Sequence, residues 1–152
     1  MQAPTSTREP TATALELAGG IGLYAHIPFC QSRCPYCDFN TYAGLGNLIP
    51  RYVSALAKEI QAWGAVLDRP AVNTVFFGGG TPSLLTPSQL RTLLGAAPSA
   101  FDVNVDAEVS AEANPDDVTV RRMAAFRAAG INRVSMGVQS LDEDLLQVLG
   151  RR

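Results

Sequence analysis

Past residue 18 the chain alternates between short apolar runs and stretches with apolar residues three and four apart. Residues 23–27 read as a buried strand. Behind Pro50, residues 51–67 carry Tyr52, Leu56, Ile60, Trp63 and Leu67 at helical steps, so a helix with these on its inner face is expected. Residues 72–77 form a second apolar run, ending in Gly78, Gly79 and Gly80. Thr86-Pro87-Ser88-Gln89 has the capping-box pattern with proline at the first helical position, which predicts a helix through about residue 97. Residues 107–113 read as a third strand. Asn114-Pro115 is expected to open a third helix that Gly130 ends. In residues 132–138 Val134, Met136 and Val138 alternate as in a strand. Ser140 and Glu143 suggest a capping box for a last helix over about 141–149.

Four strand–helix units in series predict an α/β fold with a parallel sheet and right-handed crossovers. In barrels built this way, loops at the C-terminal ends of the strands form the active site. A complete barrel takes at least about 200 residues. The 152 residues therefore read as part of one, with a tail over 1–18 and the N-terminal part of a core domain over 19–152.

Composition narrows the classes. A net charge of −2 with 17% charged residues offers no basic field for nucleic acid. No apolar run approaches the roughly 18 residues that span a bilayer. Residues 1–18 lack the apolar stretch of a signal peptide, and one Arg against two Glu suits a mitochondrial presequence poorly. They read as a flexible Thr/Ala/Pro tail. The expectation is a cytoplasmic protein whose cysteines stay reduced.

The three cysteines, Cys30, Cys34 and Cys37, all lie within CQSRCPYC, a C-x3-C-x2-C spacing. Iron–sulfur cubes usually take four thiolates, so three leave one iron open to a further ligand. The spacing alone also suits a structural Cys3His zinc site with His26 as fourth ligand.

Beyond the spacing, the run from Tyr24 to Tyr42 (YAHIPFCQSRCPYCDFNTY) resembles the cluster loop of the radical S-adenosylmethionine (SAM) family. VFFGGGTPS, EANP, RVSMGVQS and a final LGR follow in that family's order and at its spacings. Together they cover nearly everything after about residue 20, and they resemble the branch of oxygen-independent coproporphyrinogen III oxidases and related haem chaperones. The resemblance implies a partial (β/α) barrel of about four units here, with two strands and a C-terminal domain lying outside this sequence. It implies a [4Fe–4S] cluster on Cys30, Cys34 and Cys37. It also implies SAM contacts from Tyr24 and Tyr36, from the Gly79-Gly80-Thr81 turn, from Glu112 and Gln139 on the ribose, and from Arg151 on the carboxylate. Packing alone would equally explain either tyrosine, and a simple turn would explain the glycines. Arg151, next to the last residue, is expected to fray. In the family the reduced cluster cleaves SAM to methionine and a 5′-deoxyadenosyl radical.

One position separates members of the branch. The oxidases carry a fourth cysteine two residues after the third, where this chain has Phe39. That favours the haem chaperones, with haem or porphyrin as ligand and an electron donor and a haem-accepting protein as further partners. Coproporphyrinogen oxidation and a non-catalytic metal-binding fragment stand as alternatives.

Overall fold

The fold is taken from a computed structural model, which describes residues 19–151. The expected tail lies outside the described residues. Strands β1 (Ile21–Ile27), β4 (Ala71–Gly79), β5 (Asp102–Ala113) and β6 (Arg133–Met136) pair in that order, every pair parallel. Two short strands, β2 (Phe29–Cys30) and β3 (Tyr42–Ala43), form a separate parallel pair. The sheet order is the order of the apolar runs in the chain, as expected for successive βα units.

Helices α1 (Ile49–Val66), α2 (Pro87–Ala100) and α3 (Val120–Ala129) bury one face of the sheet. Ile27, Val75 and Phe77 from the strands meet Leu90, Leu93, Phe101 and Phe126 there, all essentially inaccessible. The opposite face carries Tyr24, Phe76, Ser110 and Glu112, with Tyr24 and Phe76 side by side at 5.6 Å between ring centroids. Among the described residues no helix is long and apolar enough to cross a membrane.

The capping box of α2 forms as the sequence predicts. Thr86 Oγ1 accepts from Gln89 N–H at 3.3 Å, and Gln89 Oε1 accepts from Thr86 N–H at 2.8 Å. The inner face of α1 differs from expectation. Tyr52, Leu56 and Leu67 flank the core, but Trp63 is 52% exposed and the buried stripe runs through Ile49, Val53, Ile60 and Gly64. Gly64 sets that rotation: a Cβ there would lie 2.3 Å from the Ala100 carbonyl oxygen, so α1 and α2 meet at this point backbone to backbone.

The third helix also begins later than the sequence suggests. Asn114 caps only a single 3-10 turn, Pro115–Asp117, and α3 starts after Thr119, whose Oγ1 accepts from Arg122 N–H at 3.2 Å. A 2.6 Å bond from Ser83 Oγ to the Asp117 carboxylate ties the turn down, while Val118 and Thr119 stay extended. Gly130 ends α3 with φ +117°, as its position implied. The last helix, α4 (Glu143–Val148), is capped by Asp142 and not by Ser140. Two tight turns, Val138 N–H to Met136 O at 3.0 Å and Ser140 N–H to Val138 O at 2.8 Å, delay helical geometry past Ser140. Strand β6 is correspondingly short. Asn132 stands in for a strand residue instead, its amide accepting from Val109 N–H at 2.8 Å and donating to Ala107 O at 2.9 Å.

Candidate cofactor site

The cysteine stretch is a loop closed at its neck. Because β2 and β3 run parallel, the chain leaves and returns side by side, and Tyr42 N–H donates to Pro28 O at 2.7 Å. Inside the loop Cys37 N–H donates to Cys34 O at 3.0 Å, and Arg33 reaches the Cys37 carbonyl at 3.2 Å. His26 braces the neck from outside: its Nε2–H donates to Asn40 O at 2.9 Å, and its Nδ1 accepts from Tyr24 Oη at 2.9 Å. Both ring nitrogens are thus occupied. Among the described residues no three His, Cys, Asp or Glu side chains converge closely enough to hold a single ion. The Cys3His zinc arrangement therefore lacks its fourth ligand and its convergence.

The three thiols are free and half-buried, and they line one open cleft of about 280 Å³ at the C-terminal ends of the strands. Each has a polar partner from a different part of the chain. Thr81 Oγ1 donates to Cys30 Sγ at 3.5 Å, Arg151 Nη1 to Cys34 Sγ at 3.8 Å, and Thr41 Oγ1 meets Cys37 Sγ at 3.9 Å. Hydrogen bonds to the sulfurs are one of the settings of a cluster's potential. Three thiols in one cleft, each with a hydrogen-bonding partner and none paired in a disulfide, suit the three protein-held corners of a cube better than a single ion.

The far wall comes from the strand ends. Glu112, near the end of β5, accepts from Gly79 N–H at 3.0 Å. Gln139 lines the cleft with φ +68°, a left-handed conformation uncommon outside glycine and worth about 1–3 kcal/mol of strain. Arg151, expected to fray, has defined contacts in the structure. After α4, Gly150 takes φ +64°, its N–H reaches Gln147 O at 3.0 Å, and Arg151 N–H reaches Leu146 O at 2.7 Å, a Schellman turn. The turn points the guanidinium back into the cleft, where Nη2 donates to Gly137 O at 2.5 Å. Glycine in the LGR run is thus a condition for the arginine's position.

Most of the residues expected at the site share this cleft: the three cysteines, Tyr36, Gly79, Gly80, Thr81, Glu112, Gln139 and Arg151. Tyr24 is not among its lining residues; it stands on the open face of the sheet, 54% exposed and bonded to His26. Burial, and then the charge of Glu112, push its phenol above the ordinary value. Burial and the adjacent Cys34 thiol raise Tyr36 likewise.

The glycine turn, which lines the cleft, is also tight against the protein itself. A Cβ on Gly79 would lie 2.4 Å from the His26 ring, and one on Gly80 would lie 2.7 Å from the Phe29 carbonyl oxygen. Sequence reasoning also passed over the polar group behind the turn. Buried Ser83 accepts from Asn114 N–H at 3.2 Å, bonds Asp117, and receives Arg122 on its carbonyl, so it locks Asn114, Asp116 and Asp117 into the cleft wall. The serine ending VFFGGGTPS and the asparagine of EANP were the available signal.

A parallel sheet of successive βα units, with three free thiols and a carboxylate–amide–guanidinium wall at its C-terminal end, defines a class. Residues 24–152 match the model of the Radical SAM superfamily, and the chain belongs to that family. Within it, the chain is 50% identical over 133 residues to heme chaperone HemW of Mycobacterium tuberculosis, covering 86% of this chain and 34% of that one. It is 43% identical to heme chaperone HemW of Escherichia coli, over 86% of this chain and 35% of that one. Among solved structures it resembles coproporphyrinogen III oxidase (HemN) of Escherichia coli, a radical SAM enzyme, with TM-score 0.79 and 33% identity over 86% of this chain and 30% of that one. The chain spans about a third of the length of the curated relatives it matches.

Proposed function

We propose that the chain holds a [4Fe–4S] cluster on Cys30, Cys34 and Cys37 and binds SAM in the adjoining cleft, as the N-terminal part of a haem chaperone acting in a reducing compartment. The observation that carries this reading is the meeting of three free thiols with Glu112, Gln139 and Arg151 in one cleft, although the sequence scatters them from residue 30 to residue 151. Haem as ligand rests on the identity to the HemW proteins. Phe39 supports it, since the loop carries an aromatic ring, 70% exposed at the cleft, where the oxidases carry a fourth cysteine.

When bound, a reduced cluster supplies the electron that breaks a C–S bond of SAM. The chain's own residues do the rest. Arg151 offers a charge-assisted bond to a carboxylate. Glu112 and Gln139 offer an acceptor and an amide suited to a ribose diol. The loop neck fixed by His26 and Tyr42 holds the thiols in register before anything binds, and Tyr36 lines the cleft beside them.

Anaerobic reconstitution with iron and sulfide tests the reading. About four irons and four sulfides per chain are expected, with broad visible absorption, SAM binding, and a haem titration that saturates. Stoichiometric zinc without sulfide would overturn the cluster. Conversion of coproporphyrinogen III without haem binding would favour the oxidase.

A further inference from the structure

Thr41 lies at the end of the cysteine run with no role assigned above, and it is among the most enclosed polar residues of those described. It is 6% exposed, in the company of Ser83 and Ser110. Its neighbours on both sides are pinned, Asn40 by His26 Nε2–H at 2.9 Å and Tyr42 by Pro28 O at 2.7 Å, so its backbone has little freedom. Its hydroxyl points at Cys37 Sγ at 3.9 Å, within hydrogen-bonding reach for sulfur. Burying a hydroxyl is unfavourable unless it is bonded, and a valine of the same shape would fill this space without that cost. A threonine is explained here by what its hydroxyl does to the sulfur.

Resting on the cluster reading above, we infer that Thr41 is a positioning residue for the cluster. Its buried hydroxyl donates to the Cys37 thiolate and raises the potential of the centre by stabilising the more negative, reduced state. All three partners line the cleft, but Thr81 and Arg151, on the other two sulfurs, are more exposed than the buried Thr41, so a ligand entering the cleft can engage them. Thr41 is the partner set into the loop itself, four residues beyond the thiol it serves, so its effect is present whether or not SAM is bound.

The test compares the full chain with its Thr41→Val and Thr41→Ser variants after anaerobic reconstitution. Iron and sulfide content is measured first, then the midpoint potential by EPR-monitored titration and the Fe–S(Cys) stretches by resonance Raman. Thr41→Val should keep its cluster and shift the reduction equilibrium about tenfold toward the oxidised form, 59 mV more negative for a one-electron couple. An Fe–S stretch should move to higher frequency as the sulfur loses its donor. Thr41→Ser, which keeps the hydroxyl and loses a methyl, should stay at the parental potential. If Thr41→Val cannot assemble the cluster, assembly by Thr41→Ser at the parental potential still assigns the role to the hydroxyl. Equal shifts in both variants, or none in Thr41→Val, would overturn the assignment while leaving the cluster in place. No cluster in the parent chain would instead overturn the reading on which it rests.

Discussion

Gly79→Ala separates a glycine needed for folding from one needed for ligand approach. Gly79 holds φ +109°, and an added Cβ would lie 2.4 Å from the His26 ring. Holding an alanine in a conformation so unfavourable for L residues costs about 1–3 kcal/mol. His26 cannot swing aside freely, because both its nitrogens are bonded, to Tyr24 and to Asn40. Losing those two bonds costs about 0.5–1.5 kcal/mol each, so the whole perturbation comes to about 2–6 kcal/mol. Urea denaturation of the metal-free chain reads this directly, with a lower midpoint at an unchanged slope. The double variant Gly79→Ala/His26→Ala removes the clash, so the glycine substitution should cost only the backbone share, about 1–3 kcal/mol, in that background. If Gly79→Ala leaves the metal-free chain at parental stability and weakens only SAM binding, the reasoning fails and the glycine serves the ligand alone.

Two further outcomes follow from the same geometry. Gly150→Ala forces an L residue into the left-handed turn at about 1–2 kcal/mol, opens the Schellman cap and loosens Arg151; calorimetry of the reconstituted chain should show SAM binding weakened about 5–30-fold, with iron content unchanged. Tyr52 donates its phenol to His26 O at 2.7 Å, and burial, then Glu59 and Tyr24, raise it above its ordinary value of 10.0. Because the folded value lies above the unfolded one, this contribution is complete below the unfolded value and is lost as pH rises through the folded one. Melting temperatures should therefore fall more steeply between about pH 9 and about pH 11 in the parent chain than in Tyr52→Phe.

What could be read in advance divides by the range of the interaction that decides it. The box at Thr86 and the stop at Gly130 depend on contacts a few residues away, and both stand as the sequence suggests. Asn114-Pro115 looked like a helix start by the same local criteria. A bond to Ser83, 34 positions from Asp117, holds that segment as a turn and delays α3. Trp63 fits a helical stripe on paper, but Gly64 against Ala100 turns the stripe away from it. At the site, all the expected residues but Tyr24 line one cleft, the glycines and Glu112 because they sit at strand ends and the cysteines because one loop carries them. Their partners were invisible: Tyr24 faces His26 instead of the cleft, Gly79 answers to His26, and Arg151 is steered by a glycine turn.

The sheet is laid down strictly in chain order, and the cleft inherits that order. The cysteine loop closes its own neck by residue 43, and Thr81, at the end of the next strand, then bonds both Phe29 O and Cys30 Sγ. Arg151, which bridges to Cys34, comes 117 positions later. At about 5–20 residues per second, a growing chain carries its three thiols on the order of ten seconds before that arginine exists. During synthesis the three thiols therefore precede the guanidinium that meets Cys34, and the cleft is assembled from the thiol side outward.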